Sequence, residues 1–197
     1  ALEIVCGDAS LDATLDLLCR GMEEILDDAL CAIMLLDDDR LRLRLGAAPS
    51  LPDGYHQVVD GIAIGPAAGT CAAAAHTGQQ VVTADIASDP LWGGDKDLAL
   101  SHGLAACCAT PIYSETDDLL GIFAVYYRTP YQPTPFDLQA DNRAAYLASV
   151  AIRRKGADEA ARQLNETLQQ RVADASVRIE RSRAEHLASI ALLRKRA

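Results

Sequence analysis

Apolar residues recur at Leu11, Leu15, Leu18, Met22, Ile25 and Leu26, in steps of three and four that place them on one side of a helix. Ser10 and Asp12 stand at its start as caps. The apolar run Leu30 to Leu36 stops at Asp37-Asp38-Asp39, a turn signal, and Leu41, Leu43 and Leu45 then alternate with Arg42 and Arg44. That period of two marks a half-exposed strand, so the pair reads as a hairpin. Pro49, Pro52, Gly54, Gly61, Gly65 and Pro66 make residues 49–66 a loop-rich crossover. An Ala-rich helix is expected over 70–77, a strand near 80–83 and a polar helix near 95–102. Strands near 105–112 and 119–127 flank a turn at Glu115 to Asp118. This order predicts an α+β domain, an antiparallel sheet with helices on its faces.

From Thr134-Pro135 onward the pattern is continuously helical, with Pro135 suited to a first turn. Leu138, Tyr146, Leu147, Val150 and Ala151 form its first stripe. Beyond Lys155 the stripe thins to Ala157, Ala161, Leu164, Leu168, Val172, Ala175 and Ile179, with successive steps of four at Leu164–Leu168–Val172 that look like a stutter. So thin a stripe needs a partner helix, and a parallel two-stranded coiled coil joining a homodimer is the expectation. The boundaries follow: a domain over 1–154 and a helical connector over 155–197.

Charge separates the same two parts. Residues 1–150 hold 7 Lys+Arg against 22 Asp+Glu, a balance of −15, and residues 151–197 hold 11 against 6, a balance of +5. The acidic front repels nucleic acid and anionic membrane, and the basic tail mixes its charges along a helical face, so no nucleic-acid partner is expected. The six cysteines, Cys6, Cys19, Cys31, Cys71, Cys107 and Cys108, follow neither a disulfide framework nor a C-x-x-C zinc spacing. With no signal peptide or long apolar run, they point to reduced thiols in the cytoplasm. The chain starts without Met and closes on Arg194-Lys195-Arg196-Ala197 in mid-pattern, which reads as a piece cut from a longer protein.

The stretch Gly69-Thr70-Cys71, Ala73-Ala74, Gly78, Asp85-Ile86, Asp89-Pro90-Leu91-Trp92, Gly103-Leu104, Ala106-Cys107, Pro111-Ile112 and Leu120-Gly121 resembles one branch of the GAF family, small sensor domains of bacterial signalling proteins. The resemblance spans roughly residues 9 to 154. It implies a regulatory module and not an enzyme: one that senses a small molecule or a redox state and relays it through dimeric helices to a downstream output domain such as a two-component kinase or a cyclase. The segment Leu164 to Ala173 resembles connector helices of such proteins. A ligand-free dimerisation module and a haem or thiol redox sensor are the alternatives. Methionine-sulfoxide-reducing GAF proteins use Cys chemistry, and their Cys arrangement is not matched here.

The candidate ligand-binding residues are Cys71, Asp85, Asp89, Trp92 and Cys107. Cys71 begins the Ala-rich helix, where the helix terminus favours a thiolate; its plain reading is packing between helix and sheet. Cys107 lies in an apolar strand and reads first as core. Strand alternation sends Cys108, which stands where the branch usually has Trp, to the other face. Asp85, Asp89 and Trp92 either contact a ligand or cap a turn and cover the sheet edge. Within the family, haem is held through Cys or His, and His56, His76 and His102 lie in the domain. Bilin attachment needs a Cys-His pair, and cyclic-nucleotide binding an Asn-Lys…Phe…Asp-Glu signature; both are missing. Gly61 to Pro66 lacks the Lys-Ser/Thr of a phosphate loop. His186 lacks the acidic residue and Pro of a phosphoacceptor motif. GAF ligands lie where segments cross one sheet face, here Tyr55 to Gly69 and Asp85 to His102, and the Ala-rich lining favours a small apolar ligand.

Overall fold

The computed structural model of the chain describes residues 9–94 and 96–194, and for residue 177 and residues 181–194 it describes the backbone alone. Cys6 and the side chain of His186 lie outside the described residues. The chain divides into two units, one ending at Arg153 and one beginning at Arg154.

Helix α1 (Leu11–Glu23) starts where Ser10 Oγ accepts the Ala13 N–H at 3.3 Å, and it buries Leu15, Cys19 and Met22. It stops before Ile25, which is exposed. Strands β1 (Ala29–Leu36) and β2 (Arg42–Ala47) form the expected hairpin. The crossover after them is not all loop. It contains helix α2 (Asp53–Val59) and a two-residue strand β3 (Ile62–Ala63) paired to β2. Pro52 stands immediately before α2, where it starts a helix rather than breaking one, and Tyr55 and Val59, four residues apart, bury its inner side.

Helix α3 (Gly69–Thr77), strand β4 (Val81–Thr83), a single 3₁₀ turn at Pro90–Trp92 and helix α4 (Lys96–Ser101) follow, then β5 (Ala106–Tyr113) and β6 (Leu119–Tyr127). The six strands lie in the order β3-β2-β1-β6-β5-β4, every pair antiparallel. At the centre, Gly121 faces Leu35 across the β1–β6 pair, and a Cβ there would stand 2.1 Å from the Met34 carbonyl oxygen. Only glycine lets the two strands approach this closely.

The sheet has two packed faces. One lies under α2, α3, the 3₁₀ turn and α4 and holds Tyr55, Cys71, Ile86, Trp92, Cys107 and Tyr126. The other carries Cys19, Cys31, Phe123 and Val125 beneath α1 and the start of α5 (Pro135–Arg194). A capping box opens α5: Thr134 Oγ1 accepts the Asp137 N–H at 3.3 Å, and Asp137 Oδ2 accepts the Thr134 N–H at 2.7 Å. Its buried residues are Asp137, Asp141, Ala144, Ala145, Ala148, Ser149 and Ala151, whereas Tyr146 faces solvent. The apolar phase is therefore carried by alanines, whose small side chains bring the helix close to the sheet. In the second unit, Leu164, Leu168, Val172 and Ile179 are all exposed. No helix among the described residues is long and apolar enough to cross a membrane.

Candidate functional site

Gly69, at φ +84°, turns the chain into α3 and sets Thr70 and Cys71 against the sheet. Both side chains are buried, as are those of Cys107 and Tyr126 opposite them. The β5–β6 register pairs Cys107 directly with Tyr126, so the two side chains leave the sheet on the same face, towards α3. Cys71 Sγ stands 3.4 Å from the Tyr126 hydroxyl and is hydrogen-bonded to the Cys107 thiol. The hydrogen bonds from Cys107 and Tyr126 hold the Cys71 thiol below its ordinary value against the opposing effect of burial. Burial pushes Cys107 and Tyr126 the other way, well up. Cys71 is thus the more acidic member of a buried dithiol, with a phenol beside it.

A second polar string meets this cluster. The Trp92 indole N–H donates to Thr70 Oγ1 at 3.0 Å, and Thr70 donates to Thr83 Oγ1 at 2.8 Å. The Thr70 hydroxyl also reaches the Cys107 thiol. Each of these polar groups has left water, and each has found a partner, as buried polar groups must. The Tyr55 ring packs edge-on to Tyr126, with centroids 5.9 Å apart, and His102 lies against the outer side of Tyr55 at 5.6 Å.

The structure therefore brings together three of the five residues singled out from the sequence: Cys71, Trp92 and Cys107. Asp85 and Asp89 act on the loop itself. Asp85 accepts the Ala87 N–H at 3.1 Å and the Ser88 hydroxyl at 2.7 Å, and Asp89 accepts the Leu91 N–H at 2.9 Å. These contacts fix the 3₁₀ turn that carries Trp92 inward. Of the histidines, His76 is exposed, and a ring nitrogen of His56 lies 3.2 Å from the Ala48 carbonyl. Cys108 leaves β5 on the opposite face and reaches Asp141 of α5.

Sequence reasoning missed Tyr126, Thr70 and Thr83. The signal for Tyr126 was masked: counting back from the β5–β6 turn, where Tyr113 pairs with Leu119, places Cys107 opposite Val125, and an irregularity between Ile112 and Tyr113 shifts the register by one to Tyr126. It also missed Asp141, an acid in the inward phase Leu138, Asp141, Ala145, Ala148. Outside this cluster, a groove of about 510 Å³ runs between α1 and the start of α5, lined by Leu17, Leu18, Ile25, Phe136, Ala140 and Leu147.

The GAF domain family model matches residues 8–153. The methyl sulfide methyltransferase-associated sensor of Methanosarcina acetivorans is 39% identical over 151 residues, which is 77% of this chain and 15% of that protein. The chain therefore spans about one seventh of that relative's length. Among solved structures, a domain of a two-component sensor histidine kinase protein from Sinorhizobium meliloti superimposes with a TM-score of 0.63 at 20% identity, covering 79% of this chain and 99% of that one. The free methionine-R-sulfoxide reductase of Neisseria meningitidis gives 0.64 at 17% identity, covering 79% and 86%. At these identities the likeness is one of fold.

Proposed function

This chain belongs to the GAF domain family, and we propose that it is a regulatory module whose sensing centre is the buried Cys71–Cys107–Tyr126 cluster. A small molecule or a redox change at that cluster alters the packing of α3 on the sheet, and a homodimer joined through α5 passes the change to an output domain of the parent protein. The observation that carries the reading is the buried Cys71 thiol, 3.4 Å from the Tyr126 hydroxyl and set against a second thiol, Cys107, beneath segments that cross one sheet face. Two thiols and a phenol brought together on one buried face supply the groups a thiol-based sensor needs.

The dimer is supported by the helix. Leu164, Leu168 and Val172 are each about half or more exposed, in a segment where every residue from 156 to 176 is exposed. An isolated helix with that stripe gains stability only by burying it against another. A second copy supplies the same stripe in register, as a parallel coiled coil requires. The sensor named among the relatives supports a regulatory rather than a catalytic role.

The test is a native mass spectrum and an absorption spectrum of the freshly purified chain, before and after mild peroxide. A retained small molecule supports the reading. So does a loss of two hydrogens that Cys71→Ser abolishes, since two thiols and one peroxide give a disulfide and two waters. A dimer that carries nothing and does not respond makes the chain a ligand-free dimerisation module.

A further inference from the structure

The opposite face of the sheet holds a titratable group that the sensing cluster does not use. We propose that Asp141 is a proton-operated latch at the root of α5: neutral, it keeps the helix seated on the sheet, and ionised, it weakens that seat. The side chain is 1% exposed, and its Oδ1 is buried without a hydrogen-bond partner. The Cys108 thiol of β5 hydrogen-bonds to the carboxyl. The other titratable groups around it are Asp137, one turn earlier on α5, Tyr127 of β6 and Cys31 of β1, with Cys19 and Glu23 of α1 beyond Cys31.

The proton decides the balance for three reasons. An ionised carboxylate with an unsatisfied oxygen, out of water, is among the least favourable groups a protein can bury. Asp137 adds a like charge. And the buried contact of this part of α5 is made by small side chains, Ala144, Ala145, Ala148 and Ala151, with only Val150 and Ile152 adding larger, partly buried ones. Burial first, then Asp137, lift the Asp141 carboxyl to about 6, against the partial relief given by Cys108. Below about 4 the group is neutral in both states and seating costs nothing; between about 4 and 6 the seated helix holds it neutral while an opened one would ionise. Above about 6, opening lets water reach the charge.

An opened helix returns Asp141 to the ordinary carboxylate value of 3.8, so the opened fraction rises as pH climbs from about 4 to 6 and levels off beyond. The gap of about two units makes the whole rise on the order of 100-fold. The consequence for signalling rests on α5 being the output helix; the titration and the opening do not.

Two measurements on the full chain test it. Carbon-detected NMR of the Asp carboxyls, in the wild-type protein, should show one group titrating near pH 6. Amide exchange across residues 138–151, corrected for intrinsic rates, should lose protection on the order of 100-fold between about pH 4 and 7 and stay flat in Asp141→Asn. An Asp141 midpoint near 4 in the folded chain, or the same pH profile in Asp141→Asn, overturns the latch. If that variant does not fold, the wild-type titration decides alone. A confirmed latch in a chain whose helices do not pair leaves the latch standing and removes the dimeric relay.

Discussion

Removing the Tyr126 hydroxyl, by Tyr126→Phe, separates the sensing role of the thiol cluster from its packing role. The ring is 1% exposed, and Phe fills the same volume except for one oxygen, so no cavity of consequence opens. What is lost is one contact, the 3.4 Å bond between the hydroxyl and Cys71 Sγ. A neutral hydrogen bond contributes about 0.5–1.5 kcal/mol net, and a sulfur partner puts this one at the low end. Cys71 keeps its bond from Cys107, so no sulfur is left wholly unsatisfied. The expected cost, read as a shift of the urea midpoint at constant slope, is therefore below about 1 kcal/mol. The effect on chemistry is larger in kind. One of the two hydrogen bonds that acidify Cys71 disappears, and its ionisation moves upward. Thiolate absorbance followed through a pH titration, in a Cys6→Ser background, reads this directly, because burial pushes Cys19, Cys31, Cys107 and Cys108 well up and out of the way. The reasoning fails if the variant loses more than about 3 kcal/mol, since the phenol would then be a structural keystone. It fails equally if the Cys71 titration does not move.

Other substitutions probe the rest of the account. Trp92→Phe breaks the donor to Thr70 and thins the cover over the cluster; an expected loss of about 1–3 kcal/mol, by chemical denaturation, accompanies faster alkylation of Cys71. Cys107→Ser should destabilise by about 1 kcal/mol in chemical denaturation, rising towards about 3 only where the new hydroxyl loses the Thr70 and Cys71 partners of the thiol it replaces. Asp141 has a folded value above its unfolded one, so its contribution lowers stability as pH rises from about 4 to 6, by at most about 3 kcal/mol. Asp141→Asn should therefore gain about 1–2 kcal/mol at neutral pH, net of the amide's own burial, and show a flatter stability-versus-pH curve. Leu168→Glu places like charges across the proposed dimer seam and should shift sedimentation towards monomer.

Much of the fold was written in local pattern. Period-two alternation in Leu41 to Leu45, the turn at Asp37-Asp38-Asp39, the cap at Ser10 and the first-turn Pro135 each act within a few residues, and such signals survive without tertiary context. Helix α2 was hidden because Pro52 and Gly54 suit both a loop and the start of a helix; what decides between them is the burial of Tyr55 and Val59 against a sheet the sequence does not display. Tyr146 was placed inward as part of the apolar stripe, yet the closely seated helix leaves room only for small side chains such as Ala145, Ala148 and Ser149. The site divided in the same way. Cys71, Trp92 and Cys107 stood out as residue types at helix starts, loops and strands. Thr70, Thr83 and Tyr126 are ordinary strand and helix residues until strand register brings them together. Asp141 differs again: one acid in an apolar phase is a strong local anomaly, but its partner Cys108 lies on a strand far away in sequence.

The central claim is that the state of the Cys71 cluster is read out by paired α5 helices, and the inter-copy distance between spin labels at Arg171→Cys tests it most directly. Residue 171 is exposed, and the five described native cysteines are buried, so the label goes to the helix once Cys6 is replaced by Ser. The account predicts a single short distance in the reduced chain. That distance shifts on mild peroxide treatment or on addition of the molecule retained at purification, and the shift disappears in Cys71→Ser. Absence of dipolar coupling between copies, or a shift that persists unchanged in Cys71→Ser, contradicts it.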